Sequence, residues 1–349
     1  MNNIERLVFY YGAGKIFVPR PRYFIYNATL RCDLACRHCG VWQAKKRDEL
    51  EPAELEKIIR GGFFSKVETA WLTGGEPTLR KDLGQIVKVF RRSFPRLKIF
   101  GIASNGYESE RILARLEEII IGLDPGMQGL FVHLSLDGIG DVQNRIRGRE
   151  SAFRGLAATV EGIKALTEKY PNQKIEFGFN CVIQPENVKS LEEINSFAKK
   201  YSASLTFNFV EVTDQYYCNQ ERAAELSFKE EDKEALIEFM RRLVRESGPA
   251  FRYQYQRFLA VLSGKKRDRR CLSLYSTFIV DSDGTWIPCP LSSEWLRINF
   301  RNQSPGLFWK SREAMELRRQ IENRECPDCM LSCSLGDSLS ISEFLRGGF

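Results

Sequence analysis

Cysteines carry the strongest chemical signal in this chain. Eight of its ten cysteines fall in two groups, one near each end. In the stretch Thr29 to Trp42, TLRCDLACRHCGVW, the residues Cys32, Cys36 and Cys39 stand at a C-x3-C-x2-C spacing after an apolar run. Three thiolates this close can converge on one metal centre from a short irregular loop. Structural zinc and ordinary iron-sulfur clusters take four protein ligands, so a cubane held by three leaves one iron open to another molecule. The plain alternative is three buried cysteines, or a zinc knuckle that borrows His38. In the second group Cys271 is followed by twelve residues, Gly284, four more residues and Cys289, and then come Cys326, Cys329 and Cys333. A hairpin turning at a glycine sets two distant thiolates side by side, and CPDC adds two from a tight loop. Four thiolates close a cluster completely, and the same spacing would also close around zinc as a ribbon. Of the other two cysteines, Cys181 reads as core. Cys218 lies on a loop near where a substrate would sit, with a plain exposed thiol as the bland reading.

Polar motifs follow the apolar runs between these groups. LTGGEPTLR places Gly74, Gly75, Glu76 and Pro77 after one run, where two glycines let backbone pass close to a ligand and a carboxylate sits at its edge. Ser104, Asn105 and Gly106 follow the next, and LSLDG ends a fourth with Ser135 and Asp137, the latter read as a cap for the following helix. QNRIRG supplies Arg145, read as a solvated charge, and Arg147, whose fork suits a carboxylate.

Taken together, C-x3-C-x2-C and the later GGEP resemble the radical S-adenosylmethionine (SAM) superfamily. The resemblance implies a [4Fe-4S] cluster on Cys32, Cys36 and Cys39 whose open iron chelates the SAM methionine. It implies that Gly74, Gly75, Glu76 and Pro77 bind the methionine ammonium and that Ser104, Asn105 and Ser135 reach the methionine and ribose. Arg147, twelve residues after Ser135, is expected to face the SAM carboxylate. The C-terminal cysteines resemble the auxiliary-cluster unit of the SPASM and twitch subfamilies. A full SPASM unit carries seven cysteines and this chain has five there, so one auxiliary [4Fe-4S] cluster is expected on Cys271, Cys289, Cys326 and Cys329. Cys333 is then a spare or the true fourth ligand.

The implied activity is reductive cleavage of SAM to a 5′-deoxyadenosyl radical that takes hydrogen from a substrate. The auxiliary cluster would accept an electron, giving an oxidation or an oxidative bond formation. A small polyol or sugar and a peptide are both open as substrates. No clear peptide-binding domain precedes the first strand, which leans towards a small molecule or a separate recognition partner. Flavodoxin or ferredoxin would serve as electron donor. Glu211, Asp214, Tyr216, Tyr217 and Cys218 are the candidates for acid-base or hydrogen-donor work. Two other readings stay open: a non-catalytic iron-sulfur or zinc protein, and a radical SAM methyltransferase or redox-neutral mutase.

Composition fits this picture. The chain has 349 residues, 43% hydrophobic and 28% charged, which suits a globular protein of one large or two ordinary domains. Its formal charge of +7 is spread along the length, with one tight basic run at Lys265 to Arg270, so no nucleic-acid stripe is expected. No stretch reaches the ~20 apolar residues of a membrane span and the early apolar run is too short for a signal peptide. A cytoplasmic location is therefore expected, where cysteines stay reduced or bind metal. Only two histidines are present, which leaves little for imidazole catalysis.

The elements that must position these residues are short β-rich runs alternating with helical patterns, the mark of a parallel sheet with crossover helices. Strands are expected at 23–28, 69–72, 98–103, 130–136, 175–183 and 204–212, with helices near 52–61, 82–92, 109–121, 153–170 and 190–201. This makes an α/β fold, a partial (β/α)6 TIM-like barrel with ligand sites on the loops after the strands. The expected division is an N-terminal extension at 1–22, the barrel at 23–222, a helical linker at 223–270 and a twitch-like cluster unit at 271–349, with a hairpin turning at DSDG.

Overall fold

The computed structural model describes residues 12, 17–45, 47–125, 128–214, 216–265, 271, 273–291, 298–320 and 329–331. The remaining residues, which include Cys326 and Cys333, lie outside that set. Seven strands form one all-parallel sheet that curls into a half-barrel, in the order β6-β5-β4-β3-β2-β1-β7. β1 is Tyr23–Thr29, β2 Thr69–Gly74, β3 Ile99–Ser104, β4 Gly129–Ser135, β5 Lys174–Ile183, β6 Ser204–Phe209 and β7 Thr277–Val280. The first six match the expected strands to within a few residues.

Each crossover helix shows why the sequence folds this way. In the helix Leu83–Ser93, Leu83, Ile86, Val87 and Phe90 recur at helical spacing and are buried against the sheet, while Arg91 and Arg92 lie in its last turn. Strand residues alternate between that helix-facing layer and the barrel interior. Phe24 of β1 faces outward into an aromatic cluster, edge-on to Phe64 and Phe90 at 5.4 Å between ring centroids. Each fully buried ring of this kind contributes about 1.5–3 kcal/mol by leaving water. The inward residues differ. Trp71, Phe131 and His133 fill part of the interior with ring contacts at 5.8–5.9 Å. Nearer the strand C-termini the inward positions are Asn27, Thr73, Ala103, Ser135, Asn180 and Asn208, small or polar residues that leave space.

β7 is an addition to the expected six. The turn at DSDG forms as the sequence suggests: Asp281 N donates to Thr285 O at 2.7 Å, Gly284 takes φ +90°, and Val280 bridges Trp286 antiparallel. Its leading limb, however, pairs in parallel with β1 through Tyr23 to Tyr26. All four residues of β7 are buried, and a strand covered on both faces reads as a continuous apolar run, with no alternation to betray the sheet it joins. The other edge is also met by the C-terminal segment, where Phe209 N donates to Met330 O at 3.1 Å. Among the described residues no helix is long and apolar enough to cross a membrane.

Candidate functional site

The loops after β1 and β2 are bound to each other before they bind anything else. Gly75 N donates to Thr29 O at 2.7 Å and Glu76 N to Arg31 O at 2.8 Å. Gly74 sits at φ +116°, and a Cβ on Gly75 would lie 2.1 Å from Arg31 O. The glycine pair therefore admits the backbone of the cysteine loop. Glu76 also differs from expectation. Its carboxylate is fully buried, accepting from Thr78 N, Thr78 Oγ1, Ser104 Oγ and Asn105 N, and it does not line the cavity described next. Pro77 is buried as the first residue of the short helical turn that Glu76 caps.

Cys32, Cys36 and Cys39 line one cavity of about 190 Å³. Its wall also contains Gly74, Gly75, Ser104, Asn105, Ser135 and Arg147, so the residues singled out from four separate loops meet at one place. Burial pushes the Cys32 and Cys39 thiols up to about 12 and raises that of Cys36, so thiolates here need a cation beside them. Among the described residues no three His, Cys, Asp or Glu side chains are set to hold a single metal ion. Three sulfurs around a cavity, rather than around a point, fit a multi-atom group that takes anionic sulfur ligands, and Arg147 brings positive charge to them. Its Nη1 donates to Cys36 Sγ at 3.6 Å and its Nη2 pairs with Asp137 Oδ2 at 2.6 Å. Asp137 is thus an ion-pair partner, with Val182 N also donating to its Oδ1, and does not cap the next helix, whose N-cap is Gly140. Asn105 lies beside the same loop, its Nδ2 donating to Asp33 Oδ1 at 2.8 Å and lying 4.0 Å from Cys32 Sγ. His38 Nδ1 stands 3.1 Å from Gln184 Nε2, and burial lowers this imidazole to about 4, so it is neutral near pH 7.

A second cavity of about 270 Å³ adjoins the first, sharing His38, Cys39, Thr73, Asn180 and Val182 with it. Its lining includes Glu211, Tyr216 and Tyr217 among apolar neighbours such as Ile25, Phe209, Ile279 and Leu331. Asp214 is exposed and lines none of these spaces, whereas Cys218 lines a third recess with Cys39, Tyr216 and Asp281. Glu211 Oε1 accepts from Met330 N at 2.8 Å, and burial raises its pKa. Met330 adjoins Cys329, whose sulfur lies 3.7 Å from Arg257 Nη2 and whose thiol pKa burial raises. Pro290, next to Cys289, reaches the same cavity wall. Arg145 is exposed and paired with Glu186, and Cys181 is fully buried, both as the sequence suggests.

Several site residues escaped the sequence reading. Asn219 donates to His38 O at 2.8 Å and to Glu211 O at 2.9 Å, joining the cysteine loop to the second cavity. Asn27, Arg47 and Asp281 form a polar wall in the third recess. Asn180 and Asn208 carried a usable signal: polar residues at inward positions of strands otherwise rich in apolar residues.

Comparison with known proteins agrees with this geometry. A profile of the radical SAM superfamily matches residues 26–198. The Fe-coproporphyrin III synthase of Methanosarcina barkeri is 32% identical over 176 residues, 49% of this chain and 39% of that protein. The probable GTP 3′,8-cyclase of Pyrococcus abyssi is 28% identical over 187 residues, 53% of this chain and 56% of that protein. The matched stretch thus spans less than two thirds of either relative. Among solved structures, Streptococcus suis SuiB bound to precursor peptide SuiA superposes with a TM-score of 0.60 at 15% identity, over 95% of this chain and 74% of that one. Native anSMEcpe with bound AdoMet and Cp18Cys peptide gives 0.57 at 19%, over 90% and 88%. At those identities the likeness is one of fold. With its profile match from β1 through β5 and its three-cysteine loop opening on a lined cavity, the chain carries a domain of the radical SAM superfamily of enzymes.

Proposed function

We propose that this chain oxidises a substrate by two electrons, with a [4Fe-4S] cluster on Cys32, Cys36 and Cys39, SAM in the adjoining cavity, and the substrate in the second one. Bound there, cluster and SAM supply one-electron, hydrogen-removing chemistry and leave methionine and 5′-deoxyadenosine as products. The observation that carries the reading is the wall shared by the two cavities, formed by His38, Cys39, Thr73, Asn180 and Val182. It sets the substrate space against Cys39 and beside the cavity that all three thiols line.

The remaining work falls to side chains. Gly74, Gly75, Ser104, Asn105, Ser135 and Arg147 hold SAM, Glu76 and Pro77 shaping the loop beneath it. Apolar residues of the second cavity keep water from a reactive substrate. Glu211 is the base we favour over Asp214, Tyr216, Tyr217 and Cys218. It is the carboxylate in that lining, burial raises its pKa, and with Oε1 on the Met330 amide it takes the substrate proton at Oε2. The substrate so loses one hydrogen atom, one proton and one electron. Cys271, Cys289 and Cys326, with Cys329 or Cys333, would hold a second cluster that receives the electron, and Met330, next to Cys329, is bound to Glu211.

A cavity of about 270 Å³ suits a small molecule or one side chain of a peptide. Peptides bound to SuiB and to anSMEcpe support the second choice alongside the first. The test uses protein purified without oxygen. About eight irons per chain are expected for two cubanes, with 5′-deoxyadenosine formed from SAM and dithionite and a substrate lighter by two hydrogens. If the variant with Cys32, Cys36 and Cys39 all changed to alanine still cleaves SAM at the parental rate, the proposal fails. Unchanged substrate mass or an added methyl group would favour a mutase or a methyltransferase.

A further inference from the structure

The ion pair of Asp137 and Arg147 lies almost wholly out of water, at 0% and 5% exposure. Removing two charges from solvent costs about as much as their attraction returns, so such a pair is weak evidence for stabilisation. What it does provide is a guanidinium with a fixed aim. Asp137 is held by the Val182 amide on Oδ1 at 2.8 Å, while its own backbone N donates to Gln143 Oε1 and its carbonyl accepts from Asn187 Nδ2. The carboxylate grips Arg147 Nη2, and Nη1 is thereby directed at Cys36 Sγ, 3.6 Å away. Hydrogen bonds to ligand sulfurs and nearby charge are among the factors that set the reduction potential of an iron-sulfur cluster, and groups behind the ligands orient them.

We infer that Arg147, oriented by Asp137, donates to the Cys36 sulfur and raises the potential of the cluster on Cys32, Cys36 and Cys39, easing the entry of its electron. This is a positioning role distinct from contact with the SAM carboxylate, and it rests on those three cysteines being the ligands. A donor on one sulfur stabilises the more negative, reduced state more than the oxidised one, which fixes the sign.

The test compares wild type, Arg147→Lys and Arg147→Gln as anaerobic holoenzymes, measuring iron per chain, the midpoint potential by EPR-monitored titration without SAM, and the SAM dissociation constant. The expected result is parental iron in both variants, a midpoint displaced to more negative potential in Arg147→Gln, and Arg147→Lys between it and wild type. A parental midpoint in Arg147→Gln overturns the inference, whatever happens to SAM affinity; loss of affinity alone would leave only the SAM-carboxylate role. Should Arg147→Gln fail to load iron, Arg147→Lys decides by the same criterion. Loss of iron in both overturns it too, because a tuning residue is not needed for ligation. A wild type that binds as much iron as its Cys36→Ala variant removes the ligand assignment first, and this inference with it.

Discussion

Glu76 Oε2 accepts the backbone amide of Asn105 at 2.7 Å, which locks the end of β3 to the turn after β2. The other oxygen takes Thr78 N at 3.1 Å and Thr78 Oγ1 at 2.7 Å. This carboxylate therefore acts on the first cavity, where we propose SAM binds, through Ser104 and Asn105. Glu76→Ala would strand two backbone N–H groups in the interior, at about 1–3 kcal/mol each. A clear drop in thermal midpoint is expected, with weaker SAM binding as Asn105 drifts from Cys32. Glu76→Gln keeps one acceptor oxygen and should fall between. If Glu76→Ala instead weakened SAM binding at parental stability, direct contact with the ligand would be the better account.

Gly75 gives a sharper test of the same junction. Any Cβ there meets Arg31 O at 2.1 Å, backbone against backbone, with no flexible side chain to give way. Gly75→Ala must push the cysteine loop away from β2. We expect lowered iron content per chain together with a lowered thermal midpoint, both larger than for Gly62→Ala, where a Cβ meets nothing within 4 Å. Equal behaviour of the two variants would show that the loops are not held as described.

The contrast between these residues explains what the sequence could reveal. Repeating β and α patterns exposed six strands, because alternation between a helix-facing layer and an interior leaves a periodic trace. The four-residue β7 left none, being buried on both faces and short. For the site, spacing identified the three cysteines and the loops that meet them. Spacing says nothing about direction, so Glu76 read as a ligand contact and Asp137 as a cap, while both carboxylates point into buried hydrogen-bond networks. Asn219 was invisible because it ties its own loop, at the Glu211 carbonyl, to the His38 carbonyl of a segment remote in the chain.

Burial of Glu211 raises its pKa above that of an ordinary carboxylate. Its stability effect has a definite sign. Below the unfolded value both states hold the proton; as pH climbs, the unfolded chain releases it first, so stability falls until the folded group ionises as well. Glu211→Gln should flatten that part of the stability profile. As a base, Glu211 should also make substrate oxidation rise with pH across the window where it ionises. The glutamine variant is expected to lose about 10²-fold or more of substrate oxidation while still forming 5′-deoxyadenosine. Parental oxidation by that variant would move the base to another residue.

Asn219 couples the two cavities, and its amide cannot be replaced by its acid. Nδ2 donates to His38 O and Glu211 O, and Oδ1 accepts from Thr213 N at 2.9 Å, all at 3% exposure. Asn219→Ala leaves two carbonyls and one N–H without partners, about 1–3 kcal/mol for each that stays dry. Asn219→Asp preserves the acceptor but sets a carboxylate against two carbonyl oxygens in a buried place, so it should be no more stable than the alanine variant at neutral pH and should recover on acidification as the new carboxyl takes a proton. Both changes loosen the loop bearing Tyr216 and Tyr217 from the cysteine loop, whose Gly40 N donates to Tyr217 O at 2.7 Å. The expected kinetic mark is uncoupling: 5′-deoxyadenosine continues to form while the yield of oxidised substrate per molecule of it declines. Thermal unfolding at two pH values and that product ratio check the claim together. Should the ratio hold at its parental value in a destabilised Asn219→Ala protein, Asn219 would be a fastening of the fold with no part in joining the cavities.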